Sequence, residues 1–241
     1  MIHHTICSEC LDLDPNNYQY SIGEVDADLV AVCTCPFGHK TVSRLMHNLF
    51  DVLFSSGVNA FLKGCYSESV MSFAASLERA YEMFTKVTLH VQGLEYDQID
   101  LFWKEVASQS ERQYGSFCTQ YVKIIGEAWS TNKKMIEFRN KVIHKGYIST
   151  REEILIYGEF ITETLYKILK PIHQNYLSEA QKFYLHQRVP IHPKANRLIK
   201  ENNARRMDSS IVSLLNWDII DMPKTTFEEA INTMRNVKTI N

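Results

Sequence analysis

Four of the six cysteines lie within the first 35 residues, in two short groups. The first group is Cys7-x-x-Cys10, and the second is Cys33-Thr-Cys35-Pro-Phe-Gly-His39. Structural zinc takes four thiolate or imidazole ligands at about 2.0–2.3 Å in a tetrahedron, and each group offers ligands from one tight turn. We predict a zinc site formed by Cys7, Cys10, Cys35 and His39, with Cys33 as the alternate ligand.

This cluster marks residues 1–40 as a small zinc-ribbon-like β module. Pro36 and Gly38 suit a turn that brings its two ends together, because proline stiffens the backbone and glycine accepts a positive φ. A site with four protein ligands has no open position, so the zinc would be structural and not catalytic. The alternative is a group of buried cysteines without a metal.

A second group of chemically capable residues lies on a predicted helix at 133–145. Gly146 suits the left-handed position after its end. At about 100° per residue, Arg139 falls in the middle of an apolar arc, and Asn140 and His144 share the edge of that arc. An imidazole beside a guanidinium and an amide suits phosphate-ester chemistry near neutral pH. We take Arg139, Asn140 and His144 as candidate catalytic residues.

Structural roles for the same residues stay open. A guanidinium on an apolar face is costly unless a carboxylate pairs with it, and Glu78 on an earlier predicted helix is one such partner. His144 could be a solvated residue near a helix end. The isolated Cys65 and Cys118 lie in apolar helical contexts, which predicts core residues and not nucleophiles.

The residues at 41–188 have a helical pattern throughout. Apolar residues recur there at spacings of three and four, which predicts amphipathic helices. The clearest stripe consists of Val70, Phe73, Ala74, Leu77, Tyr81 and Phe84. Pro171 is expected to kink or end the last long helix. With a short strand predicted at 27–33, we expect a mainly α fold: a helical bundle preceded by the β module.

Helix starts can be placed from their capping residues. Ser149-x-x-Glu152 and Thr226-x-x-Glu229 each match a capping box, in which a hydroxyl and a carboxyl side chain bond the first amides of a helix. We therefore expect helices to begin just after Ser149 and Thr226. One of residues 130–132 is expected to cap the helix at 133–145.

Residues 189–241 are predicted to form a C-terminal extension with short helices. Its first part is basic, and a basic stretch can follow an RNA backbone. The candidate RNA-contact residues are Arg197, Lys200, Arg205 and Arg206. The alternative is a solvated helix face without a partner.

The whole chain is not a polycation, because its formal net charge is −2 over 241 residues. Any contact with nucleic acid must therefore come from a local patch. No apolar run approaches the roughly 20 residues that span a bilayer, and the first residues do not follow the pattern of a signal peptide. We expect a cytoplasmic protein that does not enter a membrane.

The string Arg139-Asn140-Lys-Val-Ile-His144 resembles the Arg-polar-x-x-x-His motif of HEPN domains, over a helical region of residues 41–188. The resemblance implies a ribonuclease that needs no metal or other cofactor for catalysis and that dimerises so that two motifs meet in one cleft. Arg139 would stabilise the scissile phosphate. His144 would be general acid or base for attack by the RNA 2′-hydroxyl, and Asn140 would orient the phosphate or His144.

Two functions follow from this resemblance. The first is an endoribonuclease with RNA as its substrate, acting as a toxin or a phage-defence effector in antiviral defence. The second is a non-catalytic, dimeric HEPN-like scaffold that uses the zinc module for recognition. Both include a homodimer through the helical domain, and a regulatory partner stays open in both.

Overall fold

The structure is a computed structural model that describes residues 2–209, 213–217 and 221–239. Within these residues the fold is mainly helical with a small sheet near the N-terminus, which confirms the coarse fold prediction. The strands are β1 (Ile2–Ile6), β2 (Tyr20–Glu24), β3 (Val30–Thr34), β4 (Lys40–Leu45) and β5 (Arg205–Ser209). The helices are α1 (Ser8–Leu13), α2 (Leu49–Leu62), α3 (Tyr66–Val91), α4 (Tyr96–Val106), α5 (Ser110–Ile125), α6 (Lys133–Lys145), α7 (Arg151–Arg188), α8 (His192–Glu201) and α9 (Phe227–Thr239).

The chain divides into two compact units that do not follow the order of the sequence. The first unit combines Met1–His47 with Tyr184–Ile211, and the second combines Asn48–Phe183 with Val212–Asn241. The boundaries of these two units therefore differ from those of the three predicted zones, 1–40, 41–188 and 189–241. The C-terminal zone contributes to both units.

The sheet of the first unit has the strand order β1-β2-β3-β4-β5. Neighbouring strands are antiparallel except for β4 and β5, which are parallel. The prediction of a helical pattern from residue 41 onward is wrong for Thr41–Leu45, which belong to β4. The prediction of only short helices after residue 189 also missed β5. The strand predicted at 27–33 is present but begins at Val30 and ends at Thr34.

The two faces of this sheet differ in polarity. Val30 and Val42 pack with Ala195 of α8, so one face is covered by a helix of the same unit. Residues paired across strands share a face of the sheet. The pairs Thr5↔Ser21 and Cys33↔Thr41 belong to the face opposite Val30 and Val42. This second face is polar although it is buried. Its buried polar residues are His3, Thr5, Ser21, Thr41 and Ser43.

His3 should make the stability of the protein depend on pH. Burial, and secondly the charge of His4, lowers the pKa of His3 from 6.5 to about 4. The unfolded chain therefore binds a proton at a higher pH than the folded protein does. As the pH falls from about 6.5 to about 4, the free energy of unfolding should drop by on the order of 2 kcal/mol.

Chemical denaturation of the wild type, His3→Gln and His4→Gln between about pH 7 and pH 4 measures this contribution. His3→Gln cannot take up the proton, so its stability should fall less than that of the wild type. His4 is exposed, and His4→Gln keeps the His3 ring but removes the smaller of the two causes of its lowered pKa, so the stability of this variant should fall with pH nearly as much as that of the wild type. Equal losses in His3→Gln and in the wild type would contradict the prediction.

The second unit is built around a core rich in phenylalanine. The largest fully buried side chains include Phe50, Phe54, Phe73, Phe84 and Phe117. The predicted stripe on α3 is confirmed, because five of its six members belong to this core or pack against it, and the sixth, Ala74, is also buried. The amphipathic pattern of the sequence therefore identified the buried face of α3.

Helix α9 reaches this core through Phe227, whose ring lies against Gly158 of α7. A Cβ atom at position 158 would lie 2.4 Å from the Phe227 ring, so only glycine allows this approach. The rings of Phe54 and Phe73 also contact Phe227, with centroids 6.5 and 5.4 Å away. A residue far along the chain thereby completes the core.

Of the two predicted capping boxes, one is formed by the predicted residues and one is not. The Glu229 amide donates to Thr226 Oγ1 at 3.2 Å, and the Thr226 amide donates to Glu229 Oε2 at 2.7 Å. These two bonds confirm the capping box before α9. The box before α7 was predicted one residue too early. It is formed by Thr150 and Glu153: the Thr150 amide donates to Glu153 Oε2 at 2.9 Å, and the Glu153 amide donates to Thr150 Oγ1 at 3.2 Å. Ser149 is buried instead.

Helix α7 continues through Pro171, so the prediction that this residue kinks or ends it is wrong. The kink lies at Tyr176, where φ is −139°. Among the residues that the structure describes, no helix is both long enough and apolar enough to cross a bilayer.

Candidate functional site

The four predicted zinc ligands come together at one end of the sheet of the first unit. Their ligand atoms all lie within 4.8 Å of one another. Cys10 Sγ is 3.9 Å from Cys35 Sγ and 3.4 Å from His39 Nδ1, and Cys7 Sγ is 3.9 Å from His39 Nδ1. Thiolates about 2.3 Å from a tetrahedral ion lie about 3.8 Å apart. The residues therefore fit a metal ion.

Two local turns create this arrangement. Cys7 is the N-cap of α1, so Cys10 follows it after one helical turn and donates its amide to Cys7 Sγ at 3.5 Å. In the second turn, Cys35 N donates to the His39 carbonyl at 3.1 Å, and Gly38 adopts a φ of 84° as predicted. Both pairs of ligands are thus positioned by short-range backbone geometry.

The thiols of Cys7 and Cys10 differ in how easily they ionise. Burial opposes ionisation of Cys7, but hydrogen bonds from the amide and side chain of Cys10, and from Ser21 and His39, lower the pKa of Cys7 to about 6. Burial, followed by the hydrogen bonds with Cys7 and Cys35, raises the pKa of Cys10 to about 11. A bound cation would deprotonate both thiols. His39 Nε2 lies 3.8 Å from Glu9 Oε1, a carboxylate that can orient the ring so that Nδ1 faces the sulfurs of Cys7 and Cys10.

Cys33, the alternate ligand, lies outside this group. It is fully buried on the polar face of the sheet, and burial raises the pKa of its thiol to about 11. Its sulfur packs over Gly23, where an added Cβ atom would lie 2.9 Å from Cys33 Sγ. The alternation of side chains along β3 points Cys33 into this contact.

The predicted RNA-contact residues lie in the first unit and mostly have carboxylates beside them. Arg197 is 3.7 Å from Glu201, and Arg206 is 2.7 Å from Asp208. Arg205 forms an ion pair with Asp12, and Lys200 is exposed. These carboxylates reduce the local positive potential, and the contact with RNA stays a prediction.

The candidate catalytic residues lie in the second unit, on α6. The Asn132 side chain caps this helix by accepting a hydrogen bond from Lys134 N at 3.1 Å, and Gly146 ends it with a φ of 65°. Arg139, Asn140 and His144 all line one cavity of about 470 Å³ between α3, α5, α6 and α7. The sequence pattern of α6 therefore placed three polar side chains at one concave surface.

Arg139 is held in place within this cavity. Its Nη2 atom is 3.1 Å from Glu78 Oε1, and its Nη1 atom donates to Asn140 Oδ1 at 3.0 Å. The side chains of Arg139 and Glu78 remain 27% and 31% exposed. The ion pair considered from the sequence is therefore present, but it is open to solvent. Its main effect is to orient the guanidinium, because exposed pairs stabilise a fold by only about 0–1 kcal/mol.

His144 lies in the last turn of α6 and is exposed. The described parts of the chain contain no hydrogen bond to its imidazole. Both ring nitrogens can therefore exchange protons with a molecule in the cavity.

Sequence analysis missed the aromatic lining of this cavity. Tyr81, Tyr114, Tyr157 and Phe160 contribute rings to it from three helices. Burial raises the pKa of Tyr114 and of Tyr157, so both phenols are neutral near pH 7. In the sequence these residues look like ordinary members of apolar helix faces, because nothing local indicates that their faces border a cavity.

The two isolated cysteines differ in their surroundings. Cys118 is half-buried beside Tyr114, and burial raises the pKa of its thiol. Cys65 is exposed, so the prediction that it belongs to the core is wrong. It lies in the turn between α2 and α3, where the apolar pattern of both helices is interrupted.

Comparison of the chain with protein-family models, with curated proteins and with solved structures gives no match.

Proposed function

We propose that this protein is an endoribonuclease that cleaves RNA without a catalytic metal, at the cavity between α3, α5, α6 and α7. The observation that carries the proposal is the shared position of Arg139, Asn140 and His144 in that cavity, with Arg139 fixed by Glu78. The Arg139 guanidinium has more N–H donors than its two bonds use, so it can still donate to a phosphate.

The residues support the following reaction. The 2′-oxygen of a ribose attacks the adjacent phosphorus, and the bond from phosphorus to the 5′-oxygen of the next nucleotide breaks. His144 takes the 2′-hydroxyl proton or gives a proton to the leaving 5′-oxygen, and Arg139 stabilises the negative charge on the phosphate. The products are a 2′,3′-cyclic phosphate and a 5′-hydroxyl. The nucleophile is part of the substrate, so the reaction needs proton transfer and charge stabilisation.

The proposal includes the homodimer that the HEPN resemblance implies. A second His144 in the same cleft would allow one imidazole to act as base while the other acts as acid. We also infer that the Cys7, Cys10, Cys35 and His39 cluster holds zinc in a structural role, because three thiolates and one imidazole are a donor set that zinc prefers.

Incubation of the protein with tRNA and single-stranded RNA in the presence of EDTA tests the proposed reaction. The wild type should produce fragments with cyclic phosphate ends, and His144→Ala should produce about 10²–10⁴ times less, because it removes the proton-transfer group. His4→Ala replaces an exposed histidine of the other unit and should cleave like the wild type. Circular dichroism of each protein in the same buffer checks that the chelator leaves the fold intact.

Equal cleavage by the wild type and by folded His144→Ala would exclude this site as the source of the activity. Absence of cleavage by every protein would favour the second candidate, a dimeric HEPN-like scaffold without catalysis. One observation favours that candidate: Glu78 and Asn140 already satisfy part of the Arg139 guanidinium within the chain.

A further inference from the structure

The cavity that contains Arg139 and His144 is lined mainly by rings and aliphatic side chains. These apolar residues include Leu77, Tyr81, Tyr114, Met135, Tyr157 and Phe160. The ring centroids of Tyr81 and Tyr114 are 5.6 Å apart, and those of Tyr157 and Phe160 are 6.1 Å apart. Cleavage of a phosphodiester uses none of this apolar surface.

Only one component of RNA has a flat apolar face. The phosphate and the ribose are polar, whereas an unpaired nucleobase stacks on aromatic side chains. The cavity volume of about 470 Å³ is within the range of roughly 300–1,000 Å³ that is usual for small-molecule sites. A base inside a duplex has both faces covered by its neighbours, so the cavity suits a base that is unstacked.

The polar groups of the cavity favour one base. Glu111, in the first turn of α5, presents an exposed carboxylate that, among the residues the structure describes, accepts one hydrogen bond, from Ser110 Oγ at 3.4 Å. A carboxylate accepts hydrogen bonds through two oxygens. Guanine alone among the four RNA bases has two adjacent donors, N1–H and the N2 amino group, on its pairing edge. Gln113, also in the lining, already bonds Ala107 and Arg79 and does not compete.

We propose that this cavity binds an unpaired guanine beside the phosphate held by Arg139, with the base against the aromatic lining and its pairing edge on Glu111. The proposal rests on the proposed function, since it assigns the base next to the scissile phosphate. It predicts cleavage of single-stranded RNA next to guanine.

Calorimetric titration of the full-length protein measures binding without requiring catalysis. The probes are the 3′- and 5′-monophosphates of guanosine, adenosine and cytidine, together with inorganic phosphate. At least one guanosine monophosphate should bind about tenfold more tightly than the matching adenosine and cytidine nucleotides, and more tightly still than phosphate. Binding that is equal for all probes would overturn the proposal.

Two variants with matched controls locate the subsite. Phe160→Ala should weaken guanosine monophosphate binding about tenfold but leave phosphate binding unchanged, because it removes a ring and no charge. Phe102→Ala, on a part-exposed face of α4, is its control. Glu111→Gln should abolish the preference for guanosine over adenosine, and Glu105→Gln is its control. A folded Phe160→Ala that binds guanosine monophosphate like the wild type would refute the assignment, and the melting temperature of each variant reports its folding.

The failures of the two proposals are distinguishable. If guanosine monophosphate binds with the stated preference but no RNA is cleaved, the guanine site stands and the ribonuclease proposal fails. If the wild type cleaves RNA at every base and binds all nucleotides equally, the ribonuclease stands and the guanine site fails.

Discussion

Arg139→Ala is expected to lower the single-turnover rate of RNA cleavage by about 10²–10³-fold, because a donor aimed at the developing charge of the phosphate contributes that much in comparable sites. Arg139→Lys should remain strongly impaired. Lysine keeps the charge but lacks the planar fork that lets arginine bond Glu78, Asn140 and a phosphate at the same time. Quenched-flow or gel assays with excess enzyme measure the rate of the chemical step.

The fold should survive these substitutions. The Arg139–Glu78 pair is partly exposed, so its loss should cost little stability, and thermal melting checks this. Arg112→Ala, which changes an exposed arginine whose guanidinium bonds the Glu105 carbonyl, is a matched control and should cleave at the wild-type rate. A folded Arg139→Ala with undiminished cleavage would exclude a role for this guanidinium in the reaction.

Cys10→Ser is expected to abolish stoichiometric zinc binding and to unfold the first unit at ambient temperature. A structural zinc site contributes apparent binding free energies of about 10–16 kcal/mol in small zinc domains, and loss of one thiolate removes much of that stabilisation. Elemental analysis of the purified protein gives the zinc content, and thermal melting reports the stability. The second unit has its own apolar core and should keep a separate transition.

Two other cysteines provide the controls for this experiment. Cys65→Ser replaces an exposed thiol and should change neither zinc content nor stability. Cys33→Ala removes a buried sulfur outside the cluster, so it should retain zinc while losing about 1 kcal/mol from packing. Loss of zinc from Cys33→Ala but not from Cys35→Ser would show that Cys33, and not Cys35, is a ligand.

Sequence reasoning succeeded where a few consecutive residues determine the geometry. The groups around Cys7 and His39 each form one turn, so their spacing decides which atoms can face a common point. The ends of α6 follow from two residues. The Asn132 side chain accepts a hydrogen bond from an amide of the first turn, and Gly146 adopts the left-handed conformation after the last turn. The pairing of Arg139 with Glu78 was foreseen for a related reason: a guanidinium on an apolar helix face needs a carboxylate opposite it.

It failed where the partner lies far along the chain. Strand β5 contains Arg205, Arg206 and Asp208, which have little strand propensity, and it forms because β4 offers an edge about 160 residues away in sequence. In β4 the alternation is short, and it precedes a strongly helical stretch. Sheet pairing is a tertiary interaction that overrides local preference.

The sequence by itself thus limited the composition of both candidate sites: five candidate metal ligands with Cys33 as the alternate, and the three polar side chains on α6. Tertiary structure alone decided that Cys33 points onto Gly23, that Arg139 stays open to solvent beside Glu78, and that tyrosine and phenylalanine rings from separate helices line a common cavity. Short-range spacing limits which side chains can meet within one turn or one helix. The packing of whole helices and strands determines what lies opposite them.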